Sequence, residues 1–123
     1  MKLEEFSQDN FEQASKRLVR SLTRGKTTSS HPKAILLGGQ SGAGKTTIHR
    51  IKQREFQGNI IIIDGDSYRS FHPNYLGLQE KYGKDSVDYT KVFAGQMVEY
   101  LVDELSKKGY HLLIEGTLRT TEV

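Results

Sequence analysis

The chain has 123 residues, 35% hydrophobic and 27% charged, with no cysteine, which fits one modest domain and excludes a disulfide framework or a thiolate metal site. No apolar run approaches the roughly 18 residues that would span a bilayer, and the opening MKLEEFSQDN lacks the apolar core of a secretory leader, so no membrane role is expected and the cytoplasm is the expected compartment. The net charge of +3 comes from residues 1–33, with seven Lys or Arg against four acids, whereas residues 34–123 hold eleven of each; without a concentrated basic face, nucleic acid is not an expected partner.

In chain order, Phe11, Ala14, Leu18 and Leu22 recur at helical spacing, with Ser7, Asp9 and Asn10 as candidate caps and Gly25 just beyond. An amphipathic N-terminal helix is predicted, followed by KTTSSHP, a polar stretch that reads as a linker; residues 1–33 form this helix and linker. From Ala34 the pattern changes to a short apolar strand, AILL, then a Gly-rich turn, then a helix over about 45–53. NIIIID, residues 59–64, is β-branched and apolar on both faces, which suits a strand buried within a parallel sheet. The stretch 65–85 is rich in Gly, Asn, Tyr and charge, and loops with at most short helical turns are expected there. A second long helix is predicted over 86–108, with Phe93, Met97, Tyr100, Leu101 and Leu105 on its buried face and Gly109 as its stop. YHLLIEG, residues 110–116, supplies a third strand. This order predicts an α/β fold in which parallel strands are joined by right-handed crossovers.

The turn after the first strand reads GQSGAGKT, residues 39–46. It has the G-x-x-x-x-G-K-[ST] spacing of a nucleotide phosphate-binding loop: glycines turn successive N–H groups into one concavity, the following helix adds its positive end, Lys45 supplies a cation and Thr46 offers a hydroxyl to magnesium. A strand before it and a helix after it are the context the motif requires. Asp64 and Asp66 close the second strand, and Gly65 between them gives the chain freedom to turn into the mouth of the sheet. Either acid could face a phosphate, because ligands of open α/β sheets sit beyond the carboxyl ends of the strands. LLIEGTLRT ends the third strand at the same edge with Glu115, Thr117 and Arg119, and both Asp64 and Glu115 stand as candidates for the acid that supports magnesium. Angular spacing puts Glu99 on the solvated side of the second long helix. His31, His49, His72 and His111 show no metal-ligand spacing, and structural or surface roles are expected for them.

The segments AILLGGQSGAGKTTIHRIKQREFQGNIIIIDGDSYRSFHPNY, KYGKDSV and LLIEGTLRT resemble the zeta-toxin family of epsilon/zeta-type toxin–antitoxin pairs, and the resemblance extends over essentially the whole chain. It implies a P-loop NTPase fold of the nucleotide-kinase kind, three layers α/β/α around a parallel sheet, of which 1–123 would be the N-terminal portion of a single kinase-like domain. It implies an ATP- and magnesium-dependent kinase acting on the sugar 3′-hydroxyl of UDP-N-acetylglucosamine, starving peptidoglycan synthesis, with an antitoxin protein as partner. By that resemblance Gly39, Gln40, Ser41, Gly42, Ala43, Gly44, Lys45, Thr46 and Thr47 would bind ATP, with Thr46 also on magnesium and Lys45 assisting catalysis. Asp66 would match the catalytic base and contact substrate, and Glu99, Glu115, Thr117 and Arg119 would match positions that hold the UDP-sugar. For Glu99 this reverses the angular reading. The family's toxins continue past the third strand with further strands and arginines that contact the transferring phosphate, so a chain ending at Val123 is expected to be a shortened form. A kinase for another small hydroxyl substrate, or a non-catalytic module that binds nucleotide or antitoxin, are the competing expectations.

Overall fold

The computed structural model describes residues 2–37 and 44–115, and of 44–46 the backbone alone. Helix α1 spans Gln8–Thr23. Of the three candidate caps Ser7 takes the position: its hydroxyl accepts from the Asn10 N–H at 3.0 Å, and the Asn10 side-chain oxygen accepts from the Ser7 N–H at 3.2 Å, forming a reciprocal capping box. Ala14 and Leu18 are buried, and Phe11 and Leu22 pack beside them. The polar stretch after α1 is a strap rather than a free linker. Thr27 N–H donates to the Asn59 side chain at 2.8 Å, Ser29 N–H to the Gly109 carbonyl at 2.8 Å, and Lys33 N–H to His111 Nδ1 at 3.1 Å. These partners are distant in sequence, which is why composition alone suggests a loose connection.

Strands β1 (Ala34–Leu37), β2 (Ile61–Asp64) and β3 (Leu112–Glu115) form a parallel sheet in the order β1-β3-β2. β3 sits in the middle and all four of its residues are buried. The isoleucine-rich β2 is therefore not the most enclosed strand; it alternates buried and half-buried residues because it borders β3 on one side only. Ile61, Ile63, Leu112 and Ile114 point into one core with α1 and with α4 (Ser86–Lys108). By alternation Leu113 and Glu115 point to the opposite face. There His49 of α2 (Gly44–Glu55) meets Glu115, so helices cover both faces and the layers are α/β/α.

Residues 65–85 are more helical than expected. A 3-10 helix runs over Gly65–Phe71, α3 over Tyr75–Tyr82, and a further 3-10 turn over Gly83–Asp85. No apolar periodicity announces α3: Leu78 is fully buried while Leu76 is 77% exposed, so one anchoring side chain and its tertiary setting hold the helix. Gly65 serves closeness rather than freedom, because a Cβ there would lie 3.0 Å from Val98 of α4. The segment is also tied to the N-terminal arm. His72 is buried; its Nδ1 accepts from the Asn74 N–H at 3.0 Å, which leaves the ring proton on Nε2 to donate to the Glu4 carbonyl at 2.9 Å.

Along α4 the expected buried stripe is present at Phe93, Met97, Leu101 and Leu105. Tyr100 departs from it, at 38% exposed. It lies at the margin of the stripe, where its ring meets Phe11 edge-on at 6.0 Å. Gly109, at φ 98°, supplies the left-handed residue that ends α4. Among the described residues no helix is long and apolar enough to cross a membrane.

Tyr68 carries a testable pH dependence. It is 3% exposed, and its hydroxyl makes no hydrogen bond of good geometry to a described residue. Burial pushes the phenol from 10.0 up to about 12; the Asp64 backbone pulls the other way, and the Asp64 charge adds to the rise. Between those two pH values the unfolded chain loses a proton that the folded chain keeps. This contribution is intact below pH 10, and stability then falls by up to about 2 to 3 kcal/mol as pH rises to 12. Urea midpoints measured from pH 9 to 12 should drop less steeply in Tyr68→Phe than in the parent; identical slopes would contradict the assignment.

Candidate active site

Three parallel strands deliver Leu37, Asp64 and Glu115 to the same edge, paired in register across β3. This is the carboxyl edge, where ligands of open α/β sheets bind. The phosphate-loop residues Gly39, Gln40, Ser41, Gly42 and Ala43, and the substrate candidates Thr117 and Arg119, lie outside the described residues. Gly44, Lys45 and Thr46 form the first turn of α2 in backbone, and Thr47 follows with an exposed side chain.

Asp64 shapes the turn that carries Asp66. Its carboxylate accepts from the Asp66 N–H at 3.1 Å and caps the 3-10 helix, while its carbonyl accepts from the Ser67 hydroxyl at 2.9 Å. Asp66 thereby stands in the first turn with a side chain 75% exposed. One of its oxygens accepts from Arg69 at 2.8 Å, three residues on. Arg69 has no place among the sequence-derived candidates; its signal was the i, i+3 spacing from Asp66, which means adjacency only if the segment is helical.

Glu115 differs in every respect. It ends the central strand with a side chain only 5% exposed, and its Oε2 meets His49 Nε2. Asp64 and Glu115 are register partners on the same face of the sheet. His49, for which a structural or surface role is expected, meets this acidic edge at Glu115, a contact that spacing along the chain could not reveal.

Glu99 is exposed on α4, as angular spacing indicates, and no hydrogen bond or ion pair among the described residues joins it to Asp66. Its neighbour Val98 nevertheless packs against Gly65, so this turn of α4 abuts the Asp66 turn. Among the described residues no group of three or more His, Cys, Asp or Glu is arranged to hold a metal ion. Asp64 and Glu115 still fit magnesium chemically, since that ion uses one or two carboxylates and completes its shell with phosphate oxygens and water.

A family model described as Zeta toxin matches residues 17–123. Toxin PezT of Streptococcus pneumoniae is 68% identical over 123 residues, spanning 100% of this chain and 49% of that protein. Toxin zeta of Streptococcus agalactiae is 41% identical over 119 residues, spanning 97% of this chain and 42% of that protein. Among solved structures, one from the PezAT chromosomal toxin–antitoxin system of Streptococcus pneumoniae superposes with a TM-score of 0.94 at 68% identity, covering 100% of this chain and 51% of that chain. The chain thus spans about half the length of the first of these relatives.

Proposed function

The chain belongs to the zeta-toxin family, and we propose that it carries active-site residues of an ATP-dependent kinase that phosphorylates the sugar 3′-hydroxyl of UDP-N-acetylglucosamine. The observation that supports this reading is the edge itself. An exposed acid, Asp66, stands on a turn fixed by Asp64; Asp64 is the register partner of a buried acid, Glu115, which meets the helix that opens in the GKT of the phosphate-loop motif.

Phosphoryl transfer asks the protein mainly to position the reactants and to balance charge. Gly39 to Thr47 would hold the phosphates of ATP through backbone N–H groups and Lys45, and magnesium beside Thr46 would neutralise charge on the phosphates. Asp66 orients the sugar hydroxyl and accepts its proton as the hydroxyl oxygen bonds to the terminal phosphorus and the bond to the ADP oxygen breaks. Glu115, Glu99, Thr117 and Arg119 would hold the UDP-sugar against that acid. In a cell the product would accumulate in place of a peptidoglycan precursor, in the cytoplasm, until an antitoxin protein blocked the site.

The reading is tested by incubating the chain with magnesium, γ-labelled ATP and a panel of sugar nucleotides. Label is expected on UDP-N-acetylglucosamine and at its 3′-oxygen. Label on a different hydroxyl compound would replace the substrate, and nucleotide binding with no transfer to any acceptor would leave a binding module instead of an enzyme.

A further inference from the structure

We propose that His49 is a positioning residue for Glu115, so that the helix opening at the phosphate loop also fixes the acid on which the hydroxyl substrate rests. The proposal depends on the kinase reading above. Four observations lead to it. Glu115 is 5% exposed at its side chain, and a carboxylate so enclosed is costly unless donors face it. His49 Nε2 meets Glu115 Oε2, a contact in which the imidazole is the side able to donate. The His49 side chain is 26% exposed, so the pair stands at the border of the edge where substrate would enter rather than deep in the core. Lastly, His49 lies four residues after Lys45 and three after Thr46 on α2, one helical turn from the residues that the motif assigns to phosphate and magnesium.

A movement of α2 against the sheet would therefore also move the donor that sets the Glu115 side chain. His49 touches neither reactant in this scheme; it acts through Glu115. A packing role alone would lower the stability of the chain and weaken every ligand together. A positioning role predicts a split between the two ligands and rescue by a side chain that can donate.

The test compares the parent chain with His49→Ala, His49→Gln, Glu115→Gln and the His49→Ala/Glu115→Gln double variant. Calorimetry measures affinity for UDP-N-acetylglucosamine and, separately, for a non-hydrolysable ATP analogue with magnesium. His49→Ala should weaken the sugar nucleotide about tenfold while the ATP analogue changes by less than about twofold, the scale on which removing an outer partner of a ligating group acts. His49→Gln should recover most of that loss, and the double variant should bind no worse than Glu115→Gln alone, because the two side chains act as one unit. Should the alanine variant unfold, His49→Gln against His49→Leu, donor against non-donor of similar bulk, carries the same comparison. Equal weakening of both ligands, unchanged sugar-nucleotide affinity or fully additive losses would each overturn the proposal. A parent chain that binds ATP but not UDP-N-acetylglucosamine overturns the kinase reading and this proposal with it; a parent that binds both, with His49→Ala unchanged, overturns this proposal alone.

Discussion

Asp66→Asn is expected to lower single-turnover phosphoryl transfer by about 10²- to 10⁴-fold, the usual contribution of a positioned general base and equivalent to roughly 3 to 5 kcal/mol of barrier. Asparagine keeps the size of the side chain, and its amide oxygen can still accept from Arg69, whose contact with Asp66 is 2.8 Å. The backbone N–H of residue 66 still caps onto Asp64, so the turn itself should survive. On the proposed reading, what disappears is the capacity to take a proton from the sugar hydroxyl. Transfer should accordingly fall much further than sugar-nucleotide affinity, which quench-flow and calorimetry on the same variant would separate. Asp66→Ala should lose both more evenly, because it also removes the acceptor that orients the hydroxyl and the partner of Arg69. If Asp66→Asn transferred phosphate at the parental rate, the base would have to be sought elsewhere on the edge, with Asp64 next in line.

The parts of this fold legible in the sequence are those whose pattern repeats within one element. The stripe Phe93, Met97, Leu101, Leu105 predicts α4 over its full observed length, Ser86–Lys108, and AILL predicts β1 without error in its limits. The order of elements leads to a parallel sheet, and the register of Asp64 with Glu115 sets both acids at its carboxyl edge. Features that depend on contacts between elements are not written in any local pattern. α3 buries only Leu78 and stacks Tyr82 on Tyr89 of α4. The strap 26–33 owes its fixation to Asn59, Gly109 and His111. Gly65 looks like a flexible turn residue until Val98 is seen 3.0 Å from its absent Cβ. His49 carries no local signal for the same reason, since it gains meaning only from a carboxylate brought to it by the fold, and the spacing of Arg69 from Asp66 means adjacency only once that segment is helical.

Phe93→Ala is expected to destabilise the chain by about 3 to 5 kcal/mol, the range for emptying an aromatic core site that cannot collapse. Phe93 is 0% exposed and stands where three segments converge: its ring meets Phe6 edge-on at 5.0 Å, Phe11 at 5.8 Å and His72 at 5.3 Å. Phe6 belongs to the N-terminal arm, Phe11 to α1 and His72 to the end of the segment that starts with Gly65 and Asp66. One side chain of α4 thus joins the arm to the segment bearing the proposed base. Against a typical net stability of about 5 to 15 kcal/mol, a loss of this size leaves a large unfolded fraction at modest urea concentrations. Phe11→Ala should cost clearly less, because Phe11 is only half-buried at the rim of the cluster. Comparable losses for the two variants, or a loss below about 1 kcal/mol for Phe93→Ala, would show that the aromatic cluster does not anchor the arm. The two substitutions should also act differently on catalysis. Residual folded Phe93→Ala protein should transfer phosphate more slowly per folded molecule, because the His72 link between the arm and the Asp66 segment loses its supporting ring, whereas folded Phe11→Ala should transfer at the parental rate.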